Sequence, residues 1–299
     1  MKVEPITFFN RYSGKVEEEA IYGEKWLRWS YETAPGRLFL NLLVRRPFFS
    51  KLYGRAMNKP KSKVRIAPFI EKYGIDSTEF RAPADSFASF NDFFHRRLKP
   101  EARPIAPGEE IACFPADGRH LGYQSLAETD SFIAKGERFD LRRFLQDDEL
   151  AERYADGAAI VSRLCPVDYH RYHFPCDGIA GESRLINGWL YSVNPIALRQ
   201  NVGYLAANKR SYSLLESPIF GTVLYAEIGA TCVGSLVNTY LPGKPVEKGA
   251  EKGYFKFGGS CTILLFEKGR IRLDSDLVEN TAQNRELYAK MGDRLGSAC

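Results

Sequence analysis

Two adjacent glycines followed by a serine and a mostly apolar run constrain this chain more than any other feature. The segment FGGSC at residues 257–261 leads directly into residues 262–266, whose apolar character predicts a buried β-strand. Gly259 has no Cβ atom, so it tolerates unusual backbone angles and leaves its carbonyl open to the Ser260 hydroxyl. Gly-Gly-Ser by itself is also typical of a glycine-rich strand entry or a β-bulge.

The same segment indicates a serine that can cleave its own backbone. The Ser260 hydroxyl would attack the Gly259 carbonyl in an N-to-O acyl shift. β-Elimination of the resulting ester would leave dehydroalanine, which hydrolyses to a pyruvoyl group. Because a ketone can act as the electron sink that a bound cofactor otherwise supplies, the sequence predicts a cofactor made from Ser260 itself.

Removing the serine proton at neutral pH requires a base, and the chain has four histidines. Two of them, His170 and His173, lie in the proline-bounded and aromatic-rich segment 165–175. No third histidine or acidic residue accompanies them at ligand spacing, so we predict no metal site. Asp117, in the segment FPADGR, is typical of an Asx turn; alternatively, it orients His173 as the base for Ser260.

The chain resembles the phosphatidylserine decarboxylase proenzymes, a pyruvoyl-dependent family. The resemblance covers most of the chain and rests on short segments in a fixed order. These segments are NDFF at 91–94, RLKP at 97–100, RPI at 103–105, PADG at 115–118, DYHRYHFP at 168–175, GATCVGS at 229–235, FGGS at 257–260 and the terminal segment 276–296.

The resemblance implies specific roles for the residues singled out above. The cleaved bond would join Gly259 to Ser260, and Asp117, His173 and Ser260 would form the self-processing triad. His170 would lie beside the substrate. Either histidine is a candidate to protonate the carbanion that decarboxylation leaves, because imidazole titrates near neutral pH.

The reaction implied is the conversion of phosphatidylserine to phosphatidylethanolamine and CO2 through a Schiff base with the pyruvoyl group. Processing would give fragments 1–259 and 260–299, held together by a shared sheet, and the resemblance also suggests a homodimer. Cys261 departs from the family, which more usually has a hydroxyl residue there. A thiol in an apolar strand should remain un-ionised.

A basic and amphipathic window lies near the amino terminus, where no acidic residue occurs between Glu32 and Glu71. Apolar residues recur at helical spacing before and after Pro47, which predicts two short helices meeting there. Basic and aromatic residues together are typical of an interfacial helix, and also of a helix packed on its own core with a solvated basic face. A bilayer-resident anionic substrate favours the first interpretation. We therefore predict a peripheral protein on the cytoplasmic face of an anionic membrane, with no spanning segment.

The predicted fold class is α+β. Residues 1–105 should form a mainly helical, membrane-docking region, and residues 106–299 a β-rich catalytic domain. Strands are expected at 158–161, 179–186, 213–216, 222–228, 231–239 and 254–257, a hairpin at 262–273, and helices at 69–73, 87–98, 141–153 and 279–295.

Amino-acid composition excludes few classes of function for this chain. The net charge of +5 is too small to argue for nucleic acid, and six cysteines without a Cys-x-x-Cys pair indicate reduced thiols. A pyruvoyl decarboxylase of a soluble amino acid remains an alternative. An unprocessed Ser-His-Asp hydrolase is disfavoured because the Ser260 segment lacks the final glycine of a nucleophile elbow, and a non-enzymatic lipid-binding module would leave the cleavage motif without a role.

Overall fold

The computed structural model describes residues 5–129, 132, 139–231, 236–257 and 260–299. Gly258, Gly259 and residues 232–235 therefore lie outside the described residues. The strands are β1 (Thr7–Asn10), β2 (Lys15–Glu18), β3 (Ile111–Cys113), β4 (Gly118–Tyr123), β5 (Ala158–Leu164), β6 (Arg171–His173), β7 (Gly178–Ala180), β8 (Arg184–Ile186), β9 (Arg210–Ser217), β10 (Gly221–Ile228), β11 (Leu236–Asn238), β12 (Pro245–Val246), β13 (Glu251–Phe255), β14 (Ser260–Phe266), β15 (Ile271–Leu273), β16 (Glu286–Ala289) and β17 (Arg294–Ala298).

Helices dominate the amino-terminal third and are short elsewhere. The α-helices are α1 (Glu24–Glu32), α2 (Ala34–Phe39), α3 (Pro47–Met57), α4 (Ile66–Tyr73), α5 (Phe90–Phe94), α6 (Leu141–Leu145), α7 (Asp148–Arg153), α8 (Pro195–Leu198), α9 (Tyr204–Ala207) and α10 (Ser275–Ala282). A π-helical turn spans Leu40–Val44, and 3-10 turns span Pro60–Arg65, Ser77–Glu79 and Pro100–Ala102. No helix among the described residues combines the length and the apolar character needed to cross a membrane.

A large mixed sheet organises the molecule, and β14 lies near its centre. Within the described part of the chain this sheet has eleven strands, in the order β12-β7-β9-β10-β14-β5-β4-β16-β1-β2, with β8 also paired to β9. Smaller sheets join β11-β13-β6 and β15-β17-β3. The α+β class is therefore confirmed.

Both faces of β14 are covered, which explains its apolar sequence. Because alternate side chains of a strand point to opposite faces, Leu264 and Phe266 pack into one core while Ile263 and Leu265 pack into the other. Every residue of β14 is buried, Ser260 included. The predicted strand is confirmed and begins two residues earlier than expected, at the serine itself.

The amino-terminal helices follow the predicted pattern around Pro47. Thr33 caps α2 by accepting a hydrogen bond from the Gly36 amide, and α3 begins at Pro47, where the missing amide hydrogen costs nothing. Upstream of these helices, β1 extends the large sheet by pairing in parallel with β16. The division of the chain at residue 105 stays a prediction.

The expected hairpin at 262–273 is wrong. Gly269 does adopt a left-handed conformation in the turn after β14, with φ of 70°. However, β15 pairs with β17 in another sheet, while β14 pairs with β10 and β5. The turn at Gly269 could be predicted from the local sequence, but the strand that pairs with β15 could not.

Other boundaries also differ from the expected ones. The carboxy-terminal helix ends at Ala282 and the chain continues as β16 and β17, after a turn in which Asn284 has φ of 53°. Gln146, with φ of 49°, separates α6 from α7 where one helix was expected. The expected strand 179–186 is split into β7 and β8, and the helix expected at 87–98 is limited to α5.

Candidate active site

Ser260 stands at the entrance of the central strand of the large sheet. It is fully buried, and its backbone is in register with Leu164 of β5. On the other side of β14, Cys261 is in register with Ile228 of β10. Strand pairing on both sides fixes the position of the serine better than a surface loop would. The preceding Gly259, which would supply the attacked carbonyl, lies outside the described residues.

The hydroxyl of Ser260 contacts His170. The distance from Ser260 Oγ to His170 Nδ1 is 3.2 Å, and His170 Nε2 lies 2.8 Å from the Cys165 carbonyl oxygen. Since a carbonyl only accepts hydrogen bonds, Nε2 carries the proton and donates it, which leaves the Nδ1 lone pair facing the serine hydroxyl. Ser260 therefore donates to a histidine whose tautomer suits a base.

Burial keeps His170 neutral. The side chain is fully buried, and desolvation lowers the pKa of His170 to about 3, with the bond to the Cys165 carbonyl acting in the opposite direction. The ring of Phe94 stacks on the imidazole with centroids 3.8 Å apart. A neutral imidazole at physiological pH has its Nδ1 lone pair free to receive the serine proton.

Asp117 and His173 make other contacts than the predicted ones. Both carboxylate oxygens of Asp117 accept hydrogen bonds from Arg103, at 2.6–3.0 Å, and one accepts the Met291 amide at 2.9 Å. The expected hydrogen bonds, one between His173 and the Asp117 carboxylate and one between the Ser260 hydroxyl and His173, do not occur among these described residues. The roles of Asp117 and His173 in processing stay predictions.

His173 is placed by β6. Its Nδ1 donates to the Gly249 carbonyl at 2.9 Å, so its Nε2 is the acceptor and receives the Tyr169 hydroxyl at 3.3 Å. Burial lowers the pKa of His173, while Asp117 is near enough to oppose that shift. Asp117 and His173 thus lie near each other, but no hydrogen bond joins them.

Several residues of the site were missed by the sequence analysis. Arg103 was named only as part of a family segment. Because Asp117 directly precedes the buried strand β4, its carboxylate needs a cationic partner, and this requirement could have indicated an arginine such as Arg103. Phe94 and the Cys165 carbonyl could not be assigned, because nothing local indicates that they contact His170. The Cys261 thiol is fully buried, and desolvation raises its pKa, as expected for an apolar strand.

An apolar cavity of about 430 Å³ lies beside the site. Its walls come from the amino-terminal helices, through Trp26 and Tyr53, and from two segments that flank the large sheet, through Cys165 directly after β5 and Phe257 shortly before β14. The Phe257 ring stacks on Tyr53 and touches Phe94, which in turn covers His170. The cavity is therefore one aromatic layer away from the serine-histidine pair.

No group of three or more metal-ligating side chains occurs among the residues that the structure describes. What the site offers is a buried serine at the start of a central strand, a neutral histidine in contact with it, and an apolar cavity close by. This combination defines a site for nucleophilic chemistry by serine, next to space for an apolar molecule.

Comparison with known proteins identifies the family. The profile of phosphatidylserine decarboxylase matches residues 90–297. The chain is 44% identical over 297 residues to the phosphatidylserine decarboxylase proenzyme of Fusobacterium nucleatum, with 99% of each chain covered. The identity is 46% over 296 residues to the protein of the same name from Chlamydia muridarum, covering 99% of this chain and 98% of that one. The chain belongs to the phosphatidylserine decarboxylase family.

Proposed function

We propose that the chain is a proenzyme that cleaves itself between Gly259 and Ser260 and then decarboxylates phosphatidylserine to phosphatidylethanolamine. The observation that supports this most directly is the contact between Ser260 Oγ and His170 Nδ1 in a buried site. A serine hydroxyl is a weak nucleophile until a base takes its proton.

In the proposed cleavage, Ser260 Oγ bonds to the Gly259 carbonyl carbon as its proton passes to the base. The amide bond then breaks, giving an ester and a free amine on residue 260. Loss of the Cα proton expels the Gly259 carboxylate and leaves dehydroalanine. Addition of water with release of ammonia yields the pyruvoyl group and fragments 1–259 and 260–299.

Two histidines compete for the role of base. His170 is the candidate supported by its contact with Ser260, by its tautomer and by its neutral state. His173, oriented by Asp117, is the candidate implied by the family resemblance. A role for His173 requires the side chain to leave the Tyr169 hydroxyl and approach Ser260, whereas a role for His170 requires no movement.

The surroundings of Ser260 fit a pyruvoyl group at that position. The residue is fully buried, and β14 stays paired with β10 and β5 after the bond before it is cut, so the two fragments remain one folded unit. The ketone supplies an electron sink for decarboxylation. The contact between His170 Nδ1 and Ser260 Oγ supports a role for His170 in holding or delivering a proton at residue 260, and the Phe94 ring stacked on the imidazole would limit the access of water to it.

We also propose that the amino-terminal helices dock the protein on the cytoplasmic face of an anionic membrane. The docking surface of these helices consists of exposed apolar side chains. Exposed arginines and lysines lie near them along the sequence. The apolar members are Trp26, Trp29, Leu38, Leu42, Leu43, Phe48, Leu52 and Val64. Helices α1 and α3 also wall the 430 Å³ cavity, so a lipid on this surface would have apolar space leading toward His170.

Separate His170→Ala and His173→Ala variants test the proposal. Freshly translated chains are followed for fragment formation, and any processed protein is assayed for CO2 release from phosphatidylserine vesicles and from free amino acids. We expect His170→Ala to abolish or strongly slow cleavage. Normal cleavage and decarboxylation in both variants would refute the histidine roles, and activity on free amino acids alone would refute the lipid substrate.

A further inference from the structure

We infer that a cationic cavity at the carboxyl end of α5 binds a phosphate group. The cavity has a volume of about 440 Å³. Among its described lining residues, the titratable ones are four arginines, one histidine and one aspartate: Arg81, Arg96, Arg97, Arg171, His95 and Asp92. It shares none of its described lining residues with the apolar cavity beside Ser260, so the two are separate sites.

Arg96, in the wall of this cavity, is a buried cation with few partners. The residue is 4% exposed, and its Nε and Nη1 atoms make no hydrogen bond within the described part of the chain. Nη2 has two long contacts, each of 3.4 Å, with the carbonyl oxygens of Val167 and Asp168. The guanidinium lies over the rings of Phe80 and Phe93. Desolvation lowers the pKa of Arg96 to about 10, so the side chain stays charged at neutral pH.

The carboxylates nearest to Arg96 are already bound by other arginines. Asp117 and Asp168 oppose the lowering of the Arg96 pKa, but they pair with Arg103 and Arg119 respectively. Arg96 itself has no ion pair among the described residues. A buried charge without a counter-charge is costly, so an anion in the adjoining cavity would supply what the protein lacks there.

Arg171 offers a free donor in the same cavity. It is 6% exposed, its Nη1 holds both Glu251 oxygens at 2.8–2.9 Å, and its Nε donates to the His95 carbonyl at 2.9 Å. Nη2 has no partner among the described residues. Arg81 and Arg97 are exposed, and their side chains likewise have no partner in the described ranges, so both can close on an anion that enters from solvent.

Several arginines in one cavity favour phosphate over a carboxylate. A guanidinium donates two parallel hydrogen bonds to a phosphate, and a phosphate has enough oxygens to accept from more than one arginine. None of the apolar members of the docking surface is among the described lining residues. Inorganic phosphate in solution is therefore the first probe, and a phospholipid headgroup is the other source of the same group.

Isothermal titration of the purified protein with inorganic phosphate, against chloride at equal ionic strength, tests the site. We expect saturable binding that weakens by about tenfold or more in the double variant Arg81→Gln with Arg97→Gln, because two charge-assisted contacts are lost. The control, Arg199→Gln with Arg272→Gln, removes two exposed arginines outside the cavity and should keep the original affinity. Equal weakening in the two double variants, or binding that neither changes, would overturn the inference.

Vesicles containing phosphatidylglycerol decide the case in which inorganic phosphate does not bind. Weaker vesicle binding by the Arg81 and Arg97 double variant than by the Arg199 and Arg272 control would support a lipid headgroup as the source of the phosphate. Equal vesicle binding by these two variants would then overturn the inference.

Thermal unfolding of Arg96→Met provides a second measurement of phosphate binding. Phosphate should raise the Tm of the unmodified chain, because it binds only the folded state. At a concentration about a hundredfold above Kd, a tenfold loss of affinity would about halve that rise, which is the result expected for Arg96→Met. An equal rise in both proteins would overturn the role of Arg96, and if Arg96→Met does not fold, the Arg81 and Arg97 variant decides. None of these measurements depends on self-cleavage or decarboxylation.

Discussion

The phenyl ring of Phe94 covers the imidazole of His170, with ring centroids 3.8 Å apart and planes inclined by 26°. Phe94 lies at the end of α5, while His170 follows the turn of residues 165–168, so helix and turn meet at the histidine. The ring contributes to the desolvation that lowers the pKa of His170 to about 3. The neutral base form is consequently present throughout the physiological pH range.

Self-cleavage of the unmodified chain should therefore change little with pH between about 5 and 8, because His170 stays neutral. Phe94→Ser admits water and should raise the pKa of His170 toward its ordinary value of 6.5, so cleavage should decline below that pH. The rate of fragment formation against pH is the measurement. Phe87→Ser, which removes a buried ring of the same cluster that packs on Phe80 and Phe93, is the control and should keep the flat profile. A flat profile for Phe94→Ser would contradict this account.

Two buried histidines should make stability depend on pH. The pKa of His170 and that of His120 are each lowered to about 3 by desolvation, from an ordinary value of 6.5. The unfolded chain binds these protons first as the pH falls, so their contribution to stability is present above pH 6.5 and is lost progressively between 6.5 and about 3. Urea unfolding of uncleaved Ser260→Ala at several pH values should show this slope. The slope measures how many more protons the unfolded chain binds than the folded chain, and His120→Gln should lower that number by about one. An unchanged slope would rule out the contribution of His120.

Glu227 and Lys252 form a fully buried ion pair on the sheet face that also carries Ser260. Lys252 also lies against the rings of Tyr172 and Tyr225, and Ser211 donates to Glu227 at 2.8 Å. Lys252→Met leaves a buried carboxylate without its cation and should cost about 3–5 kcal/mol.

The double variant Glu227→Gln with Lys252→Met should recover most of that loss, because no uncompensated charge remains. The free energy of unfolding in urea is the readout, in the Ser260→Ala background so that all chains are intact. A double variant as unstable as Lys252→Met would show that the pair is not the source of the effect.

The pattern of successes and errors in the sequence analysis has a physical explanation. The strand at Ser260 and the helix start at Pro47 depend on apolar periodicity and on the fixed φ of proline, which are local properties. The partner of β15 depends on a strand more than twenty residues downstream, which no local pattern encodes. The choice between His170 and His173 likewise depends on where β6 and the turn before it place two similar side chains.

Membrane docking should depend on the exposed apolar residues of the docking surface. Leu42 and Phe48 are 62% and 63% exposed. Replacing both by Ser should weaken binding to anionic vesicles by about tenfold or more, because burial of each apolar side chain contributes roughly 1.5–3 kcal/mol when complete. Vesicle sedimentation at low and high salt measures the binding, which should also weaken with salt.

Leu241→Ser provides the matched control for docking. Leu241 is 71% exposed but lies outside the amino-terminal helices, so its replacement should not affect vesicle binding. Equal loss of binding in this control and in the double variant would indicate non-specific adsorption. No binding of the unmodified chain to anionic vesicles at low salt would refute the docking surface.

Denaturing mass spectrometry of freshly purified, active protein tests the central claim most directly. We predict two fragments in equal amounts, one ending at Gly259 and the other beginning at residue 260 with a pyruvoyl group in place of the serine and no free amino terminus. The contradicting result is an active preparation that consists of a single chain of 33.9 kDa with Ser260 unmodified.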